Sequence, residues 1–157
     1  MQKQLIEKKW MAEALKLARQ AEQMGEVPIG AVVVYQDQVV GRASNRREID
    51  CNPIAHAELL ALQEASKNLG RWRLTGCTLY VTLEPCPMCL GALVNARIDR
   101  LVYAAPETKG RLNHQFEKVS GVLEEESTEL LKAFFQKLRE EHPPFSTGGS
   151  MFKIQEL

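Results

Sequence analysis

The stretch CTLYVTLEPCPMCLGALVNARIDRLVYAA, residues Cys77–Ala105, decides how the chain folds. Its first part, CTLYVTLEP, is rich in β-branched and aromatic residues and reads as a strand, which Pro85 closes by forcing Glu84 into an extended conformation. Pro87 suits the first residue of a helix, where a missing N–H does no harm, and Met88, Leu90, Leu93 and Val94 carry that helix to about Arg97. The last part, DRLVYAA, reads as a second strand. A strand, a helix and a strand in quick succession predict a parallel pair joined by a crossover.

The rest of the chain extends that unit. Upstream, Ile6 to Gln23 carries Trp10, Met11, Ala14, Leu15 and Ala18 at helical spacing, with Gly25 as a stop. Next, PIGAVVVYQDQVVGRAS reads as a hairpin turning at Gln36-Asp37-Gln38, followed by a loop from Asn45 to Pro53. Ala55–Leu69 reads as a helix ended by Gly70. Downstream of a polar loop, Glu124 to Arg139 reads as an amphipathic helix with Leu130, Leu131, Phe134, Phe135 and Leu138 on its apolar side. The order helix, hairpin, helix, strand, helix, strand, helix predicts an α/β domain whose sheet is antiparallel at the hairpin and parallel at the crossovers.

Length and composition agree with one such domain. The 157 residues are 45% hydrophobic and 25% charged, which excludes a disordered chain. Residues 1–142 are expected to form the domain and 143–157, a Pro/Gly/Ser-rich and then weakly apolar tail, either a flexible end or a segment that docks Met151, Phe152 and Ile154 onto the body. Twenty basic and twenty acidic side chains leave no net charge, so any grip on a polyanion must come from local clusters. No apolar run approaches a membrane span, and the N-terminus lacks the apolar centre of a signal peptide; the expected home is the cytoplasm, with no membrane partner.

In that reducing setting Cys86-Pro87-Met88-Cys89 has three readings: a redox pair, part of a zinc site, or chance in a core. His56-Ala57-Glu58, at the start of the preceding helix, tips the balance. Two helices that start from one sheet edge bring their first turns together, so His56, Cys86 and Cys89 can hold one zinc ion per chain and leave its fourth position open. An open position marks a catalytic site. Two thiolates already cancel the ion's charge and acidify bound water less than three histidines would, so a nearby base is wanted. Glu58 supplies one. Residues two apart do not share a helix face, so Glu58 and His56 can meet at one site only in a first turn.

These residues resemble the H-x-E…P-C-x-x-C signature of the zinc nucleobase deaminases, the signature that also serves as the general description of that chemistry. GEVPIGAVVV, NPIAHAELLAL, LGRWRLTGCTLYVTLEPCPMCLGALVNARIDRLVY and GVLEEESTELLKAFFQKLR are further similar to the bacterial tRNA adenosine deaminases, over roughly Ala12 to Arg139. The resemblance implies a three-layer α/β/α sandwich of the cytidine deaminase type, with a mixed five-stranded sheet flanked by helices, and a homodimer. It implies hydrolytic conversion of adenosine to inosine in a tRNA anticodon loop: zinc-activated hydroxide adds to C6, Glu58 shuttles protons and ammonia leaves. It also implies that Asn45 binds the flipped base, that Val27, Pro28, Ile29, Ala57 and Glu84 belong to the substrate site, and that Arg46, Arg47, Lys109 and Arg111 contact RNA. The resemblance breaks off in PETKGRLNHQFEK, which runs almost directly from Lys109-Gly110 to Asn113-His114 where the family has a longer loop.

Two other functions fit part of this pattern. A deaminase of a free base or nucleoside, such as guanine or cytosine, would use the same hydrolytic step, and the short loop favours it. A non-catalytic RNA-binding subunit stabilised by zinc would need the three ligands but not Glu58.

Overall fold

The computed structural model describes residues 1–107 and 116–142. Its central feature is the expected crossover: β3 (Thr78–Leu83) and β4 (Arg100–Ala105) are parallel neighbours joined through α3 (Pro87–Asn95). On the other side of β3 lies the hairpin of β1 (Gly30–Tyr35) and β2 (Gln38–Ser44), with β1 antiparallel to β3. Its turn is the pair Gln36-Asp37, at φ of 49° and 58°, and Gln38 already belongs to β2. Two consecutive left-handed residues match the twist of the flanking strands. Between Val33 and Val34 the register slips, giving a bulge.

A fifth strand, β5 (Glu117–Val119), pairs in parallel with β4 and completes the order β2-β1-β3-β4-β5. The mixed five-stranded sheet is therefore as the resemblance implies. Reading the residues alone missed β5, because Glu-Lys-Val at a sheet edge carries neither an apolar run nor a full alternation. Backbone pairing holds it, helped by Arg100, whose Nε lies 3.2 Å from Glu117 Oε2.

Alternate residues of the strands serve opposite faces. Ala31, Val33, Leu79, Val81, Leu101 and Tyr103 pack against α2 (Ala57–Leu69) and α3. Val32, Val34, Tyr80, Val102 and Ala104 pack against Trp10, Met11 and Ala14 of α1 (Gln2–Gln23), and α4 (Glu124–Glu141) covers β3 and β4 beside it. These are three layers, helix, sheet and helix. Two glycines set the layer spacing: a Cβ on Gly30 would stand 2.0 Å from the Ala14 carbonyl oxygen, and one on Gly41 would stand 2.3 Å from that of Ala61.

Two helices differ from their sequence patterns. α1 starts at Gln2 rather than Ile6, although Leu5 and Ile6 are exposed. Glu7, nearly buried, meets Arg100 at 2.7 Å, so an ion pair fastens these turns to β4 where apolar periodicity gives no signal. On α4, Leu130, Leu131, Phe134, Phe135 and Leu138 are only half-buried among the described residues, and the fully buried residue is Ser127, which donates to the Thr82 carbonyl. The tail 143–157 lies outside the described residues.

Candidate active site

The N-termini of α2 and α3 meet at the same end of the sheet. His56 is the N-cap of α2 and Cys86 that of α3, both in extended conformation, and Pro87 opens α3. N-cap positions usually carry a side chain that bonds back to the helix N–H groups. Neither His56 nor Cys86 does so. Their side chains turn toward each other instead: His56 Nδ1 lies 3.6 Å from Cys86 Sγ and 3.5 Å from Cys89 Sγ, and one ligand atom from each residue falls within 4.8 Å of the others.

Those distances fit zinc. With zinc–nitrogen and zinc–sulfur bonds of about 2.0 and 2.3 Å, the edge between nitrogen and sulfur donors of a tetrahedron is about 3.5 Å. The donor set of one imidazole and two thiols is also zinc's preferred kind. Proton sharing within the cluster points the same way. Cys86 is pulled down to about 4, first by the hydrogen bond from Cys89 and then by His56. The Cys89 thiol is pushed up, because its proton is held between the Cys86 sulfur and Glu58. His56 is raised by its hydrogen bond with Cys86. A cation placed among these groups would replace the shared protons.

Glu58 follows two residues behind His56, inside the first turn of α2, and is buried. The extended backbone of His56 lets both side chains approach one place, as the spacing argument required. Burial raises the Glu58 carboxyl above its usual range. Beside it is a cavity of about 30 Å³ lined by Ile29, Asn45, Arg47, His56, Ala57 and Glu58, large enough to admit water.

Other residues picked out in the sequence fall in different places. Asn45 is buried at the end of β2, where its N–H donates to the Ile29 carbonyl and its Oδ1 accepts from the Arg47 N–H. Val27 and Pro28 are buried beside Ile29 but do not line the cavity. Glu84 does not line it either: its Oε2 accepts from the Glu107 N–H at 3.0 Å and its Oε1 stands 3.6 Å from Lys118 Nζ. Arg46 pairs with Asp50 at 3.0 Å, so its charge is partly engaged on the surface. Lys109 and Arg111 lie outside the described residues. Sequence reasoning passed over Glu26, which is fully buried and accepts from the Ile49 N–H at 2.7 Å. The signal was available: an acid directly before the apolar run VPIGAVVV is an unusual neighbour for a core.

The profile of the MafB19-like deaminases matches residues 6–139, nearly the whole described chain. The chain belongs to this deaminase family. Among its relatives, the tRNA-specific adenosine deaminase of Bacillus subtilis (strain 168) is 52% identical over 143 residues, covering 83% of this chain and 89% of that protein. The protein of the same description from Haemophilus influenzae (strain KW20) is 44% identical, with 87% of each chain covered. A structure solved in a study of A-to-I editing by tRNA:A34 deaminases at the wobble position of transfer RNA superposes with a TM-score of 0.75 at 41% identity, covering 78% of this chain and 99% of the other. Guanine deaminase from Nitrosomonas europaea shares the fold, with a TM-score of 0.75 at 24% identity over 81% of this chain and 83% of its own. For this deaminase, therefore, His56, Cys86 and Cys89 form a cluster that fits the zinc centre such chemistry requires.

Proposed function

We propose that this chain is a zinc-dependent deaminase that converts adenosine to inosine in the anticodon loop of tRNA. The observation that carries the proposal is the placement of His56 Nδ1 at 3.5–3.6 Å from both thiols with the buried Glu58 in the first turn of the same helix. Relatives at 44–52% identity that are described as tRNA-specific adenosine deaminases supply the substrate class.

His56, Cys86 and Cys89 would hold the zinc. Bound zinc supplies Lewis acidity, which lets water act as a nucleophile near neutral pH. The protein's own part is proton transfer and positioning. Glu58, acting as its carboxylate, accepts a proton from the attacking water and delivers it to N1 of adenine; burial, which raises its pKa, makes that carboxylate a stronger base. Water adds at C6, the C6–amino bond breaks, and the amine leaves as ammonia after taking up a second proton through Glu58. Adenosine and water thus balance inosine and ammonia. Ile29 and Ala57 bound the apolar side of the pocket, and the Asn45 side chain faces the base from the polar side. Arg47 lines the pocket and, with its neighbour Arg46, would meet phosphates, a role that Lys109 and Arg111 share in the proposal.

The wobble base must be out of its stack to reach Glu58, as an anticodon loop allows. The face of α2 and α3 supports a homodimer: the exposed Trp72 lines a broad groove with Leu59, Leu60 and Arg97, and Ile54, Met88 and Val94 of the same stretch of chain are exposed as well. Cytoplasmic residence follows from the substrate; none of the described helices is long and apolar enough to cross a membrane.

Incubation with an anticodon stem-loop and, separately, with free adenine, guanine and cytosine tests the proposal, with inosine and ammonia as readouts. Inosine in the stem-loop is expected. Ammonia from free bases alone would replace the proposal with a base deaminase.

A further inference from the structure

We infer that Glu26 is a positioning residue whose buried carboxylate fixes the turn Arg46–Asn52 at the pocket mouth, and so sets how tightly the RNA backbone binds. The inference rests on the proposed action at a base in tRNA.

Glu26 sits in the link between α1 and β1 and is fully buried, as acidic side chains rarely are. Its Oε1 accepts from the Ile49 N–H at 2.7 Å, while Oε2 has no hydrogen-bond partner among the described residues. The turn it reaches is otherwise bonded mostly to itself. Asp50 N–H donates to the Arg46 carbonyl, Cys51 N–H to Glu48, Asn52 N–H to Arg47, and the Arg46 guanidinium to Asp50. At its root, Arg46 N–H meets the Ala55 carbonyl and Arg47 N–H meets Asn45 Oδ1. Among the described residues, the bond to Glu26 is the one hydrogen bond that ties residues 46–52 to the α1–β1 link.

That link also bounds the pocket, because Ile29 lines the cavity and its carbonyl accepts from Asn45 N–H. One segment thus holds the pocket floor through Ile29 and the mouth through Glu26. Arg47 lines the cavity and Arg46 is its neighbour, so freeing the turn would displace two guanidinium groups while Asn45 kept its bond to the Ile29 carbonyl and His56 and Glu58 their places on α2. The expected result is weaker substrate binding with little change in the chemical step.

Reach and charge can be separated. Glu26→Gln keeps the side-chain length and an acceptor oxygen without the charge. Glu26→Asp keeps the charge but withdraws it by about 1.5 Å, one carbon–carbon bond, so the contact with Ile49 is lost. With zinc-loaded protein and an anticodon stem-loop, Glu26→Asp should raise KM about tenfold or more with kcat within about threefold, whereas Glu26→Gln should keep both near wild type. Hydrogen exchange at the Ile49 amide should quicken about tenfold in Glu26→Asp and stay slow in Glu26→Gln. Equal KM values for both variants and wild type, a fall in kcat alone, or an unchanged Ile49 amide in Glu26→Asp would each overturn the inference. Wild-type protein without activity on the stem-loop would instead overturn the proposed function, and the Ile49 amide, which needs no substrate, would still decide the tether.

Discussion

At the scale of single residues, the division of labour between Glu58 and the three donors is sharp enough to test. The cluster that fits zinc is made by His56, Cys86 and Cys89, whose donor atoms face one another, while Glu58 is buried beside them without being a donor in that cluster. Glu58→Gln should therefore retain one zinc per chain and melt within a few degrees of wild type, yet lose about 10²–10⁴ in kcat, the usual contribution of a general acid–base group. Zinc analysis, thermal melting and single-turnover kinetics on the stem-loop check the three parts, and an unchanged rate would remove Glu58 from the mechanism. Cys89→Ser should lose the metal itself, because a hydroxyl is a poor zinc ligand beside a thiolate. These four residues were legible in the sequence because metal chemistry restricts both their types and their spacing. Glu26 left only a fainter trace, an acid directly before an apolar run, since its partner is a backbone N–H twenty-three residues away and no side-chain pattern marks a backbone donor.

At the scale of elements, local pattern located every helix and the four longer strands among the described residues, and it failed where long-range contacts replace it. The early start of α1 depends on Glu7 and Arg100, and β5 depends on pairing with β4. Packing distance is also hidden in sequence. Gly41 looks like an ordinary strand glycine, yet a methyl there would meet the Ala61 carbonyl at 2.3 Å and push α2 from the sheet. Gly41→Ala should destabilise the fold by about 1–3 kcal/mol, the usual penalty of overpacking, read as a lower urea midpoint at unchanged m-value. Because α2 carries His56 and Glu58, zinc affinity should fall as well. Under α1, Tyr80 offers a pH test. Burial, and next Glu7, push its phenol from 10 to about 12. The unfolded chain then releases a proton from about pH 10 that the folded chain keeps until about 12, so this contribution to stability is complete below 10 and lost as the pH rises through 12. Tyr80→Phe should lessen the loss of stability over that window, which denaturation midpoints at pH 9 and pH 11 would measure; equal losses in the two proteins would remove Tyr80 as a source.

At the scale of the whole molecule, twenty basic and twenty acidic side chains cancel, so association with RNA or with a second copy must depend on local surfaces rather than on an overall field. The α2–α3 face is one such surface. Trp72 is 59% exposed, Ile54 53% and Val94 46%, and Trp72 lines the groove together with Leu59, Leu60 and Arg97. Large apolar side chains gathered on one face commonly mark an interface. The sequence could not show this groove, because its lining comes from α2, the loop after it and the end of α3, which only the crossover brings together. A homodimer across this face would cover them, and charge introduced there would meet its own copy across a twofold axis. Trp72→Glu combined with Val94→Glu should therefore convert a species of twice the chain mass into a single chain in sedimentation experiments, with zinc content unchanged because neither residue touches the donor cluster. A wild-type protein that sediments as one chain at micromolar concentration would remove the dimer from the proposal without affecting the zinc site.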